Sequence, residues 1–433
     1  MLRDPALRAL RLLLASALAA VGCGEAPQPR NLLLISLDTL RADHLGCYGY
    51  PRPTSPFLDR LASQGIVFER AHATSPWTLP SHLSLFTGLY PSQHGVTTEL
   101  RSLPAEIPML AEALRERSFA TAGFASGIFL GPRFGFERGF DRYEVIPTRP
   151  ESGGSGTSLI AAGRVSEGGL EWLAGRPPER PFFLFLHYFD VHSDYLPEPR
   201  FAAMFGKPYR GPVDGTTRQI LTFVRGRIAF DADDRARLID LYDAEIRQLD
   251  QALEDLFAGL RERGALEQTV VVVTADHGEE LFDHGALFHG RTQYQEMLRI
   301  PLIVVGPGIP RGLRVDQPVS LVDLAPTLLT LLGAPVPSGV AGRDLAPLWK
   351  APDSPWPERD LFAEASDTNE RRRPKRAVLH GRWKLVLNDG GEPELFDLER
   401  DPHERSNRAA EDPERAAELA GRLLTALGTV REA

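Results

Sequence analysis

Apolar runs of strand length constrain this 433-residue chain more than any other feature. Asn31–Leu37, Thr121–Ala125, Phe182–Leu186, Val270–Thr274 and Leu302–Val305 are such runs, and none alternates strictly between apolar and polar residues. A strand that is apolar at nearly every position is buried on both faces, the condition of central strands in a parallel sheet covered by helices. The stretches between the runs carry helical signals. Thr54-Ser-Pro56 opens one helix, with Pro56 suited to its first turn and Gly65 ending it. Ala105–Arg117 and Asp323–Leu332 are two more, and a long one from about residue 233 to 263 lines up Leu238, Leu241, Ile246, Leu249, Leu253, Leu256 and Leu260 on one face. Strands alternating with helices predict an α/β fold: a large, mostly parallel central sheet with helices on both faces. Residues 149–169, rich in Gly and Ser, are predicted to be a flexible loop. After about residue 355 the pattern changes. Ala377–Leu379, Trp383–Leu387 and Leu395–Leu398 predict short strands of a small C-terminal antiparallel subdomain.

The amino terminus has the form of an export signal. Arg3, Arg8 and Arg11 precede the apolar stretch Leu12–Val21, which falls short of the roughly 20 residues needed to span a bilayer. The stretch ends in Ala20-Val-Gly-Cys23, which resembles a bacterial lipoprotein processing site with Cys23 as the lipid-carrying residue. A plain secretory signal cut nearby and an uncleaved anchor are the alternatives. The expected division is therefore a signal peptide over 1–22, a tether over 23–30, a main domain over 31–355 and the subdomain over 356–433. Cys47 then has no intrachain partner. Lys and Arg total 49 against 58 Asp and Glu, a net charge of −9, so the chain as a whole is not an electrostatic nucleic-acid binder. Its only lysines are Lys207, Lys350, Lys375 and Lys384. The Arg371–Arg376 run is either an anion patch or a solvated loop.

Sites in open α/β sheets form beyond the carboxyl ends of the strands. Two of the apolar runs end at acidic residues: Asp38, and Asp276 followed by His277-Gly278-Glu279. An Asp and a His side by side at a strand end are a candidate metal-ligand pair, although Asp-His-Gly also suits a plain turn. Thr78 stands just before Leu79-Pro80, where Pro80 fits the first turn of a helix ending near Gly88. Free amides at that helix start favour an alkoxide and an incoming anion. Thr78 is either a nucleophile, which needs a base or a metal to lower its pKa, or simply the helix cap.

Taken together, these segments resemble the sulfatase family of the alkaline phosphatase superfamily. The resemblance runs in order from the Asp38 segment with Arg41 and Asp43, through Gly46-Cys-Tyr-Gly49, Pro53–Asp59, Leu79-Pro-Ser81, Thr87–Pro91 and His94-Gly95. It continues with Phe182–His192, Thr274–Glu279, His289-Gly-Arg291, Arg299–Ile303 and Glu394–Leu398. It implies a metal-dependent hydrolase of sulfuric or phosphoric esters. Carried over by position, the ligands of one divalent ion, calcium, manganese or zinc, are Asp38, Thr78, Asp276 and His277. His192 and His187 are candidate leaving-group acids, and His82, His289, Arg41 and Arg291 would stabilise or position the charged group. Each histidine taken singly is also compatible with a structural role.

Departures from the family pattern matter as much. The resemblance leads one to expect Cys or Ser, converted to formylglycine, where Thr78 stands, and an arginine where His82 stands. Thr39 replaces a second carboxylate. Ala125-Ser-Gly-Ile-Phe129 lacks the expected Lys and His, and Arg291 stands for a lysine. A threonine nucleophile suggests superfamily relatives that handle phosphoesters, including phosphoglycerol and phosphoethanolamine transferases, and no formylglycine-generating partner. The expected substrate is an anionic ester on a glycan, a lipid or a small molecule. The alternatives are a phosphoester or phosphodiester hydrolase or transferase, and an inactive protein that binds anionic glycans.

Overall fold

The computed structural model describes residues 30–148, 159–365, 375–388 and 390–427. The segment expected to be an export signal, with Cys23, lies outside them, as does most of the Arg371–Arg376 run. The main sheet is built from β1 (Asn31–Leu37), β2 (Ile66–Phe68), β3 (Ala120–Ser126), β4 (Arg142–Ile146), β5 (Phe182–Tyr188), β6 (Thr269–Ala275), β7 (Leu302–Val305) and β8 (Leu313–Val315). Their order is β8-β2-β7-β6-β1-β5-β3-β4. The centre is parallel: β1 lies between β5 and β6, β5 also pairs with β3, and β3 with β4. Only β7 runs against its neighbours, β6 and β2. Every residue of β1, β3, β5 and β6 is buried, as continuous apolar runs require. The fold is therefore the expected mostly parallel α/β sheet.

The main helices are α1 (Pro56–Ala62), α2 (Thr78–Thr87), α3 (Leu110–Glu116), α4 (Leu159–Gly175), α5 (Ala232–Glu262) and α6 (Leu324–Leu331). Side chains on β5 alternate between the two faces of the sheet. Leu184 and Leu186 lie against Gly169 of α4, whereas Phe185 meets Phe86 of α2 at 4.9 Å between ring centres. Helices thus cover both faces, with α1 and α4 packing on α5, and α2 with α3 and α6.

Two expectations change. The helix predicted over Ala105–Arg117 begins only at Leu110, because Pro108 disfavours helical backbone at Ile107. The predicted loop over 149–169 becomes α4 from Leu159 onward; residues 149–158 lie outside the described residues. Two of its glycines, Gly168 and Gly169, are packing residues. A Cβ on Gly168 would lie 2.6 Å from the Phe124 ring, so only glycine lets this helix approach the sheet so closely.

The C-terminal part is an antiparallel sheet of β9 (Leu361–Ala365), β10 (Lys375–His380), β11 (Trp383–Asn388) and β12 (Glu394–Asp397), covered by α7 (Pro413–Leu427). Val378, Leu385, Leu395, Leu419 and Leu423 form its own small core. Glu404 ties it to the main body. Its carboxylate accepts from the Gln295 amide at 2.6 Å and pairs with the buried Lys384 at 2.7 Å, and its carbonyl lies 3.1 Å from His284 Nε2. Arg405 also donates to the Asp283 carbonyl. Among the described residues no helix is long and apolar enough to cross a membrane.

Candidate active site

β1 and β6 are paired in parallel with Leu37 opposite Ala275, so the residues that follow them, Asp38 and Asp276, emerge side by side. Both carboxylates are fully buried. Asp276 Oδ1 accepts from the backbone amides of Thr39 at 3.3 Å and His277 at 2.9 Å. Thr39 reaches this position with φ of 55°, a left-handed conformation held by the Tyr242 hydroxyl donating to its carbonyl at 2.8 Å. Both oxygens of Asp38, Oδ2 of Asp276 and the Thr39 hydroxyl have no hydrogen-bond partner. Burial pushes the Asp38 carboxyl up, and burial with the Asp38 charge pushes Asp276 up to about 7.

The imidazoles around this pair share one wiring. His277 Nδ1 donates to the Gly278 carbonyl at 2.8 Å. Its Nε2 is thereby left with a lone pair, 3.3 Å from Asp276 Oδ2, 3.7 Å from Asp38 Oδ1 and 3.5 Å from Thr78 Oγ1. His187 Nδ1 donates to the Ser126 carbonyl at 2.7 Å, and its Nε2 faces Asp38 Oδ2 at 3.5 Å. His192 Nδ1 donates to the Ser193 carbonyl at 2.8 Å. Burial holds His82, His187, His192 and His277 each down at about 4, so all four are neutral imidazoles at pH 7.

Buried carboxylate oxygens without partners, facing bare imidazole nitrogens, are costly unless a cation completes them. Asp38, Asp276 and His277 bring ligand atoms within 4.8 Å of one another, and His82, His187 and Asp276 form a second such group. The donor set fits a divalent ion: the carboxylates suit calcium or manganese, and the imidazoles pull toward manganese or zinc. A separate cluster of Glu280, His284 and Glu296 does not fit one. There His284 Nδ1 bonds Glu296 at 2.6 Å and Nε2 meets the Glu404 carbonyl at 3.1 Å. Both ring nitrogens thus face acceptor oxygens, and neither offers a lone pair to a metal.

Thr78 is the first residue of α2 rather than a residue ahead of it. Trp77 holds the cap position in extended conformation with no side-chain cap bond. Thr78 therefore does not cap the helix. Its hydroxyl faces the cluster, and Ser81, one turn on, donates to the Asp276 carbonyl at 2.6 Å and locks α2 to the end of β6.

Other predicted residues take different places. His82 lies inside the cluster with both ring nitrogens engaged: Nδ1 donates to the Thr78 carbonyl at 2.9 Å and Nε2 accepts from Ser36 at 2.8 Å. It holds Thr78 from behind rather than meeting an incoming anion. The Arg41 guanidinium is buried between Asp43 at 2.8 Å and Asp283 at 2.6 Å and donates to the Glu279 carbonyl. Two carboxylates already balance its charge, which moves it from anion binding to fixing the loop after Asp276. Arg291 follows Gly290, whose amide donates to the Pro76 carbonyl at 3.0 Å, so the chain brings it to the Thr78 edge. His192 and His289 stand at the half-buried mouth, their rings 4.7 Å apart, with His289 also 4.9 Å from His277.

Glu279 has no role in the sequence-based site. It is fully buried, accepts from the Tyr195 hydroxyl at 2.9 Å and from His289 Nδ1 at 3.1 Å, and burial raises it to about 7. Its place in the Asp276–Glu279 segment was the available signal.

A family model described as Sulfatase matches residues 30–334, and one described as the C-terminal part of N-sulphoglucosamine sulphohydrolase matches 283–433. A Delta 4,5-hexuronate-2-O-sulfatase of Bacteroides thetaiotaomicron is 26% identical over 92% of this chain and 89% of its own. Human arylsulfatase A is 28% identical over 92% of this chain and 86% of its own. In fold, the phosphonate monoester hydrolase of Agrobacterium radiobacter superposes with a TM-score of 0.76 at 21% identity, covering 92% of this chain and 95% of that one.

Proposed function

The chain belongs to the sulfatase family and is an ester-hydrolysing enzyme, and from that premise we propose that Thr78, with its encoded side chain, is the nucleophile of a phosphoester hydrolase. The observation that carries this is the Thr78 hydroxyl at the start of α2, 3.5 Å from the bare Nε2 of His277 and beside the partnerless oxygens of Asp38. Asp38, Asp276 and His277, with Thr78, would hold one divalent ion. Calcium, manganese and zinc all remain compatible with this set. Such an ion supplies Lewis acidity that lowers the pKa of a hydroxyl and offsets charge on an ester oxygen.

The chain's own groups do the rest. Free amides at the start of α2 face the developing anion. Thr78 gives up its hydroxyl proton to solvent, its Oγ forms the new bond to phosphorus, the bond from phosphorus to the ester oxygen breaks, and that oxygen takes a proton. His192 is placed to give it. It lies at the half-buried mouth, whereas His187 is fully buried against Asp38. His192 is neutral in the free protein, and the negative charge of a bound ester favours its protonated form. Arg291 and His289 would position the charged group, with His289 oriented by Glu279.

Phosphate rather than sulfate follows from the nucleophile. A sulfated formylglycine hydrate expels sulfate by eliminating from its second hydroxyl. A threonine ester has no second hydroxyl and must be cleaved by direct attack, which water performs at phosphorus. No formylglycine-generating partner is then required. The substrate is an anionic ester rather than nucleic acid. Membrane attachment through a lipidated Cys23 would place the enzyme at a bacterial envelope, with the catalytic body over 31–355 and the subdomain over 356–433.

The test is a paired assay of aryl phosphate and aryl sulfate turnover, with mass spectrometry of the peptide bearing residue 78. Thr78→Ala abolishes turnover, Thr78→Ser keeps a fraction, and residue 78 shows its encoded mass or that mass plus a phosphoryl group. An oxidised residue 78, or aryl sulfate turnover far above aryl phosphate turnover, returns the protein to formylglycine chemistry.

A further inference from the structure

Rings crowd the mouth of the site. His192, the group placed to protonate the leaving oxygen, is stacked on Phe189 at 4.0 Å and meets the edge of Phe288 at 5.9 Å. Trp77, immediately before Thr78, stands edge-on to Phe129 at 5.4 Å. Between these pairs the chain leaves β3 through Gly127, with φ of 104°; a Cβ there would lie 3.1 Å from the Phe189 ring. That close approach presents the next residue, Ile128, at the lip, 77% exposed. A lone exposed isoleucine is unremarkable, but this one stands between Gly127, close against the Phe189 ring, and Phe129, packed on Trp77, so it joins two ring pairs into one apolar belt. Among the described residues, Arg41 is spent on Asp43 and Asp283, and Lys384 on Glu404.

We propose that Trp77, Ile128, Phe129, Phe189 and Phe288 bind an apolar leaving group, so that the substrate is a phosphate ester of an aryl or alkyl alcohol. This rests on the reading of Thr78 and His192 as the reacting pair, because it is the position of His192 within the belt that assigns the belt to the leaving group.

Binding separates the two claims. A series from 4-methyl- to 4-butylbenzylphosphonate, stable to hydrolysis, is titrated into the cation-loaded enzyme by calorimetry. The dissociation constant should fall roughly two- to fourfold per added methylene, the scale of burying one such group. The same slope is expected in Thr78→Ala, and it should flatten in Ile128→Ser. Ile128 is exposed, so that variant folds; circular dichroism checks this. A dissociation constant indifferent to chain length, or an unchanged slope in Ile128→Ser, overturns the proposal. Stronger competition by a sulfated disaccharide than by the butyl compound would also overturn it and assign the belt to sugar rings. Retained turnover in Thr78→Ala alongside an intact slope would instead remove the nucleophile assignment and leave the belt standing.

Discussion

Replacing Asp276 with Asn should stabilise the cation-free protein while abolishing its response to cation. The Asp276 carboxyl is fully buried, and burial together with the Asp38 charge raises its pKa from 3.8 to about 7. Between these values the unfolded chain has lost a proton that the folded chain retains. Stability therefore falls as pH rises across that window, by about 1.4 kcal/mol per unit, and levels off above it. Over roughly three units the penalty is on the order of 4 kcal/mol at pH 7.5, against almost none near pH 4. Asn keeps the acceptor that Thr39 and His277 amides use, and its new N–H faces His277 Nε2 across the 3.3 Å now spanned to Oδ2. The four neutral histidines, held near 4, slope the other way, since the unfolded chain binds more protons there. Parent and variant share them, although His82 and His187 lose the Asp276 charge that holds their pKa up, so the difference between the two reports the carboxylate together with these neighbours. Urea unfolding of chelator-treated parent and Asp276→Asn at pH 4.5, 6 and 7.5 measures it. The variant should gain steadily with pH, and added calcium, manganese or zinc should raise the midpoint of the parent only. A variant no more stable than the parent at pH 7.5, or one whose midpoint rises equally with cation, refutes the reasoning.

His192→Gln should lower turnover roughly 10²-fold or more for alkyl phosphates and far less for 4-nitrophenyl phosphate, whose leaving group departs unprotonated; equal losses for both would remove it as the acid. Lys384→Met strands the buried Glu404 carboxylate and should cost about 3–5 kcal/mol in unfolding experiments, most of it recovered by adding Glu404→Gln. Gly278→Ala places a Cβ 1.9 Å from the Glu296 carbonyl and should weaken cation binding measured by elemental analysis, because the Gly278 carbonyl orients His277. Cys23→Ser should release the protein from the membrane fraction, whereas a soluble parent with another mature start would dismiss lipidation.

What the sequence disclosed followed from burial. β1 and β6 are legible because strands covered on both faces tolerate almost nothing polar, and each run stops at the carboxylate that matters. Asp38, Thr78, Asp276 and His277 each stand at the end or start of an element, which makes them visible singly; that they belong to one group was implied by the family resemblance. What stayed hidden depends on partners distant in sequence. Gly168 and Gly169 suggest a loop until Phe124 and Leu186 appear beneath them. Arg41 and His82 suggest anion binding until Asp283 and Ser36 are seen to occupy them. Glu279 acquires a role through His289, which it meets at 3.1 Å, and through Tyr195, 84 positions earlier in the chain.

The ties made by Glu404 also order events in time. β1 pairs with β6, placing Leu32 beside Val270, so the sheet centre cannot close until well over half the chain has been made. The segment after His277 is pinned later still, when Glu404 reaches Gln295 and His284, and Arg405 reaches Asp283. A growing chain therefore carries Thr78 for most of its synthesis without a finished mouth around it. The segment that carries His289 and Arg291 is thus held in place only once the C-terminal part has been made, and a polypeptide that ends before Glu404 lacks those ties.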